Sequence, residues 1–245
     1  MNETDLYEKF KDLNQEKLNS SLISACQHGI FDEIKFLLNS PKLTIHADIL
    51  ATTGNIGSYS LKTPLSAACK DGHLDVVKYL LNATELKQHA DIKQKKYHAL
   101  FEATMYGWFD IVKYLLELPE LKENYSINMI GNDGGTLFGE AAHRGRVDIV
   151  KYLLESNEFK KHIDVHENED FAFKCGLRYN TDEHKDLIKY LIFDHNIKKT
   201  ENIKKHLKTY PSVDVEKWLE LNDLNHTLEN ELVSVKIDRN KQIKL

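Results

Sequence analysis

The feature that most constrains this chain is its similarity to itself. Segments 20–38, 63–81, 98–116 and 136–154 align without gaps. A fifth, 171–192, joins them if Asn180 takes a glycine's place and about three residues are inserted after it. Asp32, Asp75, Asp110, Asp148 and Asp186 mark the register, at steps of 43, 35, 38 and 38 residues. A period of this size belongs to a unit that cannot bury its apolar face alone and must stack on copies of itself.

Each copy reads as two short helices joined at Gly29, Gly72, Gly107 or Gly145. Glycine ends a helix in the left-handed conformation without a Cβ penalty, and asparagine tolerates that conformation next best, which suits Asn180. The first helix carries Ala25, Ala68, Ala103 or Ala141, so a neighbouring helix can approach closely. The second places Val76, Val77, Leu80 and Leu81 on one stripe with Lys78 facing water. The stripe recurs as Ile111, Val112, Leu115 and Leu116, then as Ile149, Val150, Leu153 and Leu154.

T-P-L at 63–65, then A-A, D-G-H-L-D-V-V-K-Y-L-L and A-D-I at 90–92, is similar to the ankyrin repeat. The resemblance spans roughly residues 20–195. It implies an all-α solenoid of L-shaped helix pairs, with hairpin loops to one side, stacked into a curved slab. Five units are expected, at about 20–62, 63–97, 98–135, 136–169 and 170–195. Two departures from the common pattern stand out. Each unit inserts a segment after its leucine pair, which either lengthens the second helix or adds a turn packed by Leu43, Leu86, Leu121 and Phe159. This longer form resembles repeats of bacterial, phage and giant-virus ankyrin proteins. The junctions are also uneven, so full hairpins are expected only at 48–62 and 126–135.

A solenoid needs terminal units that cover its apolar ends. Residues 1–19 are expected to supply a capping helix over 4–18, with Leu6, Phe10 and Leu13 on one stripe. Residues 196–236 supply the other: Thr200 caps a short helix, Tyr210-Pro211 ends it, and Ser212 caps the next. There Val215, Trp218, Leu221, Leu224, Leu228 and Leu232 form a stripe expected to fold back on the last repeat. Residues 237–245 are expected to be a flexible tail.

Composition excludes several functions. A formal net charge of −5 without a basic cluster argues against nucleic acid as principal partner. No apolar run approaches the roughly 18 residues that span a bilayer, and no signal peptide is visible. The expected location is the cytoplasm, or a host cell if the chain is a delivered effector. Cys26, Cys69 and Cys175 form no CxxC pair, and Cys26 and Cys69 share a small core position with Thr104 and Ala142. His46, His89 and His162 recur at one place, as loop-bonding residues would, and the resemblance gives His73 a loop-tying role. No metal, catalytic or cofactor site is outlined. The abundant carboxylates read as solvated helix faces.

The resemblance implies a partner lying on the concave side, against loop tips and the pairs preceding each glycine. Those pairs are Gln27-His28, Lys70-Asp71, Met105-Tyr106, His143-Arg144 and Arg178-Tyr179. The later ones are rich in Tyr, Met and Arg, which tend to anchor interfaces. The protein-binding set is therefore Lys70, Asp71, Met105, Tyr106, Trp108, His143, Arg144, Arg178 and Tyr179. Trp108, in the place of His73, either joins this patch or packs between loops. The expected function is non-enzymatic binding of another protein by a monomer. The alternatives are an inhibitor, immunity or anti-defence protein, or a secreted effector, blocking an enzyme by occupying its surface.

Overall fold

The computed structural model describes residues 2–54, 62–122 and 135–242, with the backbone alone at 96 and 230–242. The fold is all-α. Among the described residues the one extended element is an isolated antiparallel bridge between Thr53 and Lys62, at the root of the first expected hairpin. The expected hairpin at 126–135 lies almost wholly outside the described residues.

The five helix pairs are α2 (Gln15–Gln27) with α3 (Phe31–Asn39), α4 (Pro64–Asp71) with α5 (Leu74–Asn82), α6 (Gln94–Tyr106) with α7 (Phe109–Leu116), α9 (Leu137–His143) with α10 (Val147–Glu155), and α11 (Glu167–Tyr179) with α12 (Asp182–Phe193). Ahead of them is α1 (Glu3–Phe10). The short α8 (Pro119–Lys122) follows α7, and α13 (Glu201–Thr209) and α14 (Val213–Gln242) close the chain. First helices pack side by side, α2 on α4, α4 on α6, α6 on α9 and α9 on α11. The second helices α5, α7, α10 and α12 pack in sequence beside them.

The local chemistry follows the repeat. Thr63 and Ser66 form a reciprocal capping box (Ser66 N to Thr63 Oγ1 3.0 Å, Thr63 N to Ser66 Oγ 2.8 Å), with Pro64 in the first turn where no amide donor is needed. Gly29, Gly72, Gly107, Gly145 and Asn180 all have positive φ, from 51° to 85°. One buried position runs down the stack as Leu22, Leu65, Leu100, Phe138 and Phe173. Three residues later stands a small one in every unit: Ala25, Ala68, Ala103, Ala141 and finally Gly176. A Cβ on Gly176 would lie 2.4 Å from Ile188 Cγ1, so the last pair packs closer than alanine allows. Cys26, Cys69 and Cys175 are buried, and burial pushes their thiols up, Cys175 to about 11.

The inserted segment is a turn and does not extend the second helix. Helices α3, α5 and α10 end at Asn39, Asn82 and Glu155, and Leu43, Leu86, Leu121 and Phe159 are buried beyond the second helices. His46 and His89 each donate from Nε2 to the carbonyl six residues back, Ser40 (2.9 Å) and Ala83 (3.0 Å). His162 lies in a 3-10 turn, Lys160–His162. Asp48, Asp91 and Asp164 then each accept from the amide two residues on, at 2.8–2.9 Å.

The junctions at 93–97 and 166–170 are short, each a tight turn that leads directly into the following first helix. They share a left-handed turn, with φ of 53° and 61° at Lys95 and Tyr97, and of 50°, 59° and 61° at Asn168, Glu169 and Asp170. Such residues are costly for L side chains, and the second turn is pinned from outside. Asp170, 2% exposed, accepts from the His166 ring and from Thr200 Oγ1 (3.1 Å), while His206 Nε2 donates to the Glu169 carbonyl (2.7 Å).

Both caps differ from expectation in extent. Asn14 caps α2 and accepts from Lys17 N at 3.0 Å, so 15–19 belong to the first repeat and α1 stops at Phe10. At the other end Val215, Leu219 and Asn222 are buried and Trp218 half-buried as α14 lies on α12, whereas Leu221, Leu224 and Leu228 stand exposed. The fold-back uses one face of the first turns, carrying Val215, Leu219 and Asn222, while Leu221, Leu224 and Leu228 lie on the opposite face of the same helix. Helix α14 nevertheless continues to Gln242, through the expected flexible tail, since neither glycine nor proline follows Ser212.

Candidate functional site

Two ladders tie each repeat to the next. The residue after each inter-helix glycine reaches back to the carbonyl two before the previous glycine. His73 Nε2 donates to Gln27 O (3.0 Å), Trp108 Nε1 to Lys70 O (2.8 Å), Arg146 Nε and Nη2 to Met105 O (3.2 and 2.9 Å), and His184 Nε2, displaced by the insertion, to His143 O (3.2 Å). Each side chain also lies on the glycine of the earlier repeat. A Cβ on Gly29 would meet His73 at 2.6 Å, on Gly72 the Trp108 ring at 2.6 Å, on Gly107 Arg146 at 2.8 Å and on Gly145 His184 at 3.0 Å. Four glycines are therefore required twice, by positive φ and by space. Asn180 faces no following repeat, so asparagine suffices there. Trp108→Phe, which removes the indole N–H and shrinks the ring packed on Gly72, is expected to cost about 1–3 kcal/mol in a urea melt.

The second ladder joins the second helices. Tyr79 OH accepts from Asn39 Nδ2 (3.2 Å), and Tyr190 OH donates to Glu155 Oε1 (3.1 Å). A lysine of the preceding repeat covers each ring: Lys35 over Tyr79, Lys78 over Tyr114 and Lys151 over Tyr190, at 5.0–5.6 Å. Lys78 is thus engaged as well as exposed, and the recurring K-Y pair serves cation–π contact between repeats.

The first ladder sets the edge on which the expected binding pairs stand. Lys70 Nζ lies 5.2 Å from the Tyr106 ring centroid, and hydrogen bonding to Tyr106 raises its pKa. His143 Nε2 is hydrogen-bonded to Tyr179 OH (2.7 Å), and the Arg178 guanidinium sits over the Tyr179 ring. Arg144 Nε donates to Glu140 Oε1 at 2.9 Å. Met105 offers its carbonyl to Arg146 and is itself half-buried. Tyr106, Trp108 and Tyr179 are each about 40% exposed on this edge. Trp108 is a tie between loops, the second of its two expected readings, and keeps an exposed face.

This alternation of stacked helix pairs and inter-repeat ties matches a known pattern. A family model described as ankyrin repeats (3 copies) matches residues 4–96 and 83–166, more than half of the chain. This chain is an ankyrin-repeat protein. No curated protein matches it significantly. Ankyrin repeats are in general modules of protein–protein interaction rather than catalysts. The matched span ends before α11, where the fifth ankyrin unit departs through its insertion and Asn180.

Sequence reasoning missed Arg146 and His184 as ladder members of this ankyrin protein, because arginine shares no likeness with His73 and the insertion shifts His184 out of register. It also read all carboxylates as solvated, and several are buried. Glu33 is matched by Lys9 Nζ at 2.5 Å, and Asp170 by the contacts above. Glu102 is 7% exposed, with Oε1 3.4 Å from His98 Nε2 and Oε2 without a hydrogen-bond partner. Burial raises its pKa above the usual carboxylate range. Among the described residues no cluster of three or more His, Cys, Asp or Glu could hold a metal ion, and no helix is long and apolar enough to cross a membrane.

Proposed function

We propose that this protein holds a partner protein on the face made by the first helices and their loop tips, concave in the ankyrin arrangement and centred on Met105-Tyr106 and His143-Arg144. The observation that carries this reading is the stripe of exposed but tethered side chains along one edge. Tyr106 is held by Lys70, Tyr179 by His143 and Arg178, and Arg144 by Glu140. Large side chains already restrained in the free state lose little entropy on docking. Aromatic and arginine side chains are the types that dominate interface energetics. Lys70, Asp71, Trp108 and Arg178 flank this centre and complete the proposed surface.

The test is a pull-down against the native proteome, followed by affinity measurement with the partner recovered. The double variant Tyr106→Ala, Arg144→Ala is expected to weaken binding at least a hundredfold while its helical circular dichroism persists. The exposed leucines of α14 are the competing surface. Unchanged affinity in the double variant, with loss on Leu221→Asp, Leu224→Asp, would move the site to α14 and end the proposal.

A further inference from the structure

We propose that the same face carries, between the second and third repeats, a receptor for a cationic side chain of the partner, a lysine ammonium or arginine guanidinium seated on Glu102 and Asp71. This rests on the concave-face reading and names the chemistry of what enters there.

The position of Glu102 recurs in the five units as Ser24, Ala67, Glu102, Glu140 and Cys175, so packing does not call for a carboxylate. Two units have one, and their surroundings differ. Glu140 is satisfied from its own helix: four residues on, Arg144 donates to it at 2.9 Å, and His143 lies 3.9 Å away. Four residues after Glu102 stands Tyr106, which brings no charge. Glu102 keeps only the longer contact to His98, and its Oε2 is shut from water with no donor. Asp71, from the preceding repeat, lies close enough to raise the Glu102 pKa, and its Oδ2 is likewise buried and unpartnered. The other charged neighbours are Lys70 and Lys62; Lys70 bonds to Tyr106, and Lys62 Nζ donates to Gln27 Oε1 at 2.9 Å.

Two buried carboxylate oxygens without donors are unfavourable in the free protein, because each has lost water and gained no hydrogen bond in its place. An incoming cation with several N–H groups removes that penalty and matches the sign of the site. The fourth repeat shows the geometry within the same molecule, where the Arg144 guanidinium rests on Glu140. In the third repeat the equivalent cation comes from outside.

The probe is a phage-displayed library of random twelve-residue peptides, selected on the full chain. Selected peptides are expected to share a Lys or Arg at one register, and replacing it by Gln should weaken binding at least tenfold. Glu102→Gln is expected to weaken the same peptides at least tenfold while raising the melting temperature, since it removes an unpaired buried charge. A merely structural Glu102 would lower that temperature when replaced, which overturns the proposal. Peptides that require Tyr106 but carry no basic residue, or bind Glu102→Gln undiminished, also overturn it and leave the concave reading standing. Peptides indifferent to Tyr106, Arg144 and Glu102 alike, or an empty selection, sink both.

Discussion

Gly72→Asn is expected to destabilise the protein by about 2–3 kcal/mol, whereas Asn180→Gly shifts its stability by only a few tenths. Both positions are left-handed, at φ 85° and 51°, and asparagine is the side chain that tolerates this best. The difference therefore lies in space. A Cβ at 72 would fall 2.6–2.7 Å from three atoms of the Trp108 ring, and at 180 no later repeat supplies such a ring. The indole must move, and its bond to the Lys70 carbonyl goes with it. A double-mutant cycle isolates this cause. In a Trp108→Ala background the cost of Gly72→Asn should fall to a few tenths, because the clashing ring is gone. Equal cost in both backgrounds would place the strain in the backbone and refute the spatial account. Equilibrium urea unfolding of the four variants decides it.

Phe138→Ala is expected to cost about 3–5 kcal/mol, as large-to-small changes do where the surroundings cannot collapse. Phe138 is 1% exposed in the buried column that runs through every unit, between Leu100 before it and Phe173 after it. In a solenoid the stabilities of units and of their interfaces add along one dimension, so damage at one unit also cuts communication across it. Unfolding is then expected to lose its single transition. Calorimetry should show one half melting apart from the other, and hydrogen exchange should place the opening between α6 and α11. A variant that melts in one transition, lowered by only a degree or two, would show that the core repacks around the missing ring.

How much of this was legible in the chain depends on the range of the interaction concerned. The five-unit register, the helix pairs and the thiols as packing residues all follow from short-range rules, and each appears in the structure where those rules place it. Asn180 as a glycine substitute was legible because φ is a local quantity. Why asparagine occurs only there was not, because the reason is a ring belonging to the next repeat. The ladder itself was half-visible through His73. Trp108 and Arg146 share its role by register without likeness of side chain, and His184 shares the side chain but is displaced from the register by the insertion.

The ends show the same division. An apolar stripe on α14 is legible in its spacing, but the face that lies on α12 is the one carrying Val215, Leu219 and Asn222, so Leu221, Leu224 and Leu228 remain outside. The proposed binding edge is a mixed case. Its pairs were visible as positions the core does not need, and the contacts among them, Lys70 to Tyr106 and His143 to Tyr179, join residues 36 apart. Four residues after Glu102 the sequence has a tyrosine, and four after Glu140 an arginine. That difference acquires meaning through burial, which is a property of the stack. By itself the sequence determined a repeat and its register, because period, turn conformation and amphipathicity are carried by neighbours along the chain. Tertiary structure alone decided which glycines must stay glycine and which carboxylates lack a partner, because both depend on what the adjoining repeat brings within a few ångströms.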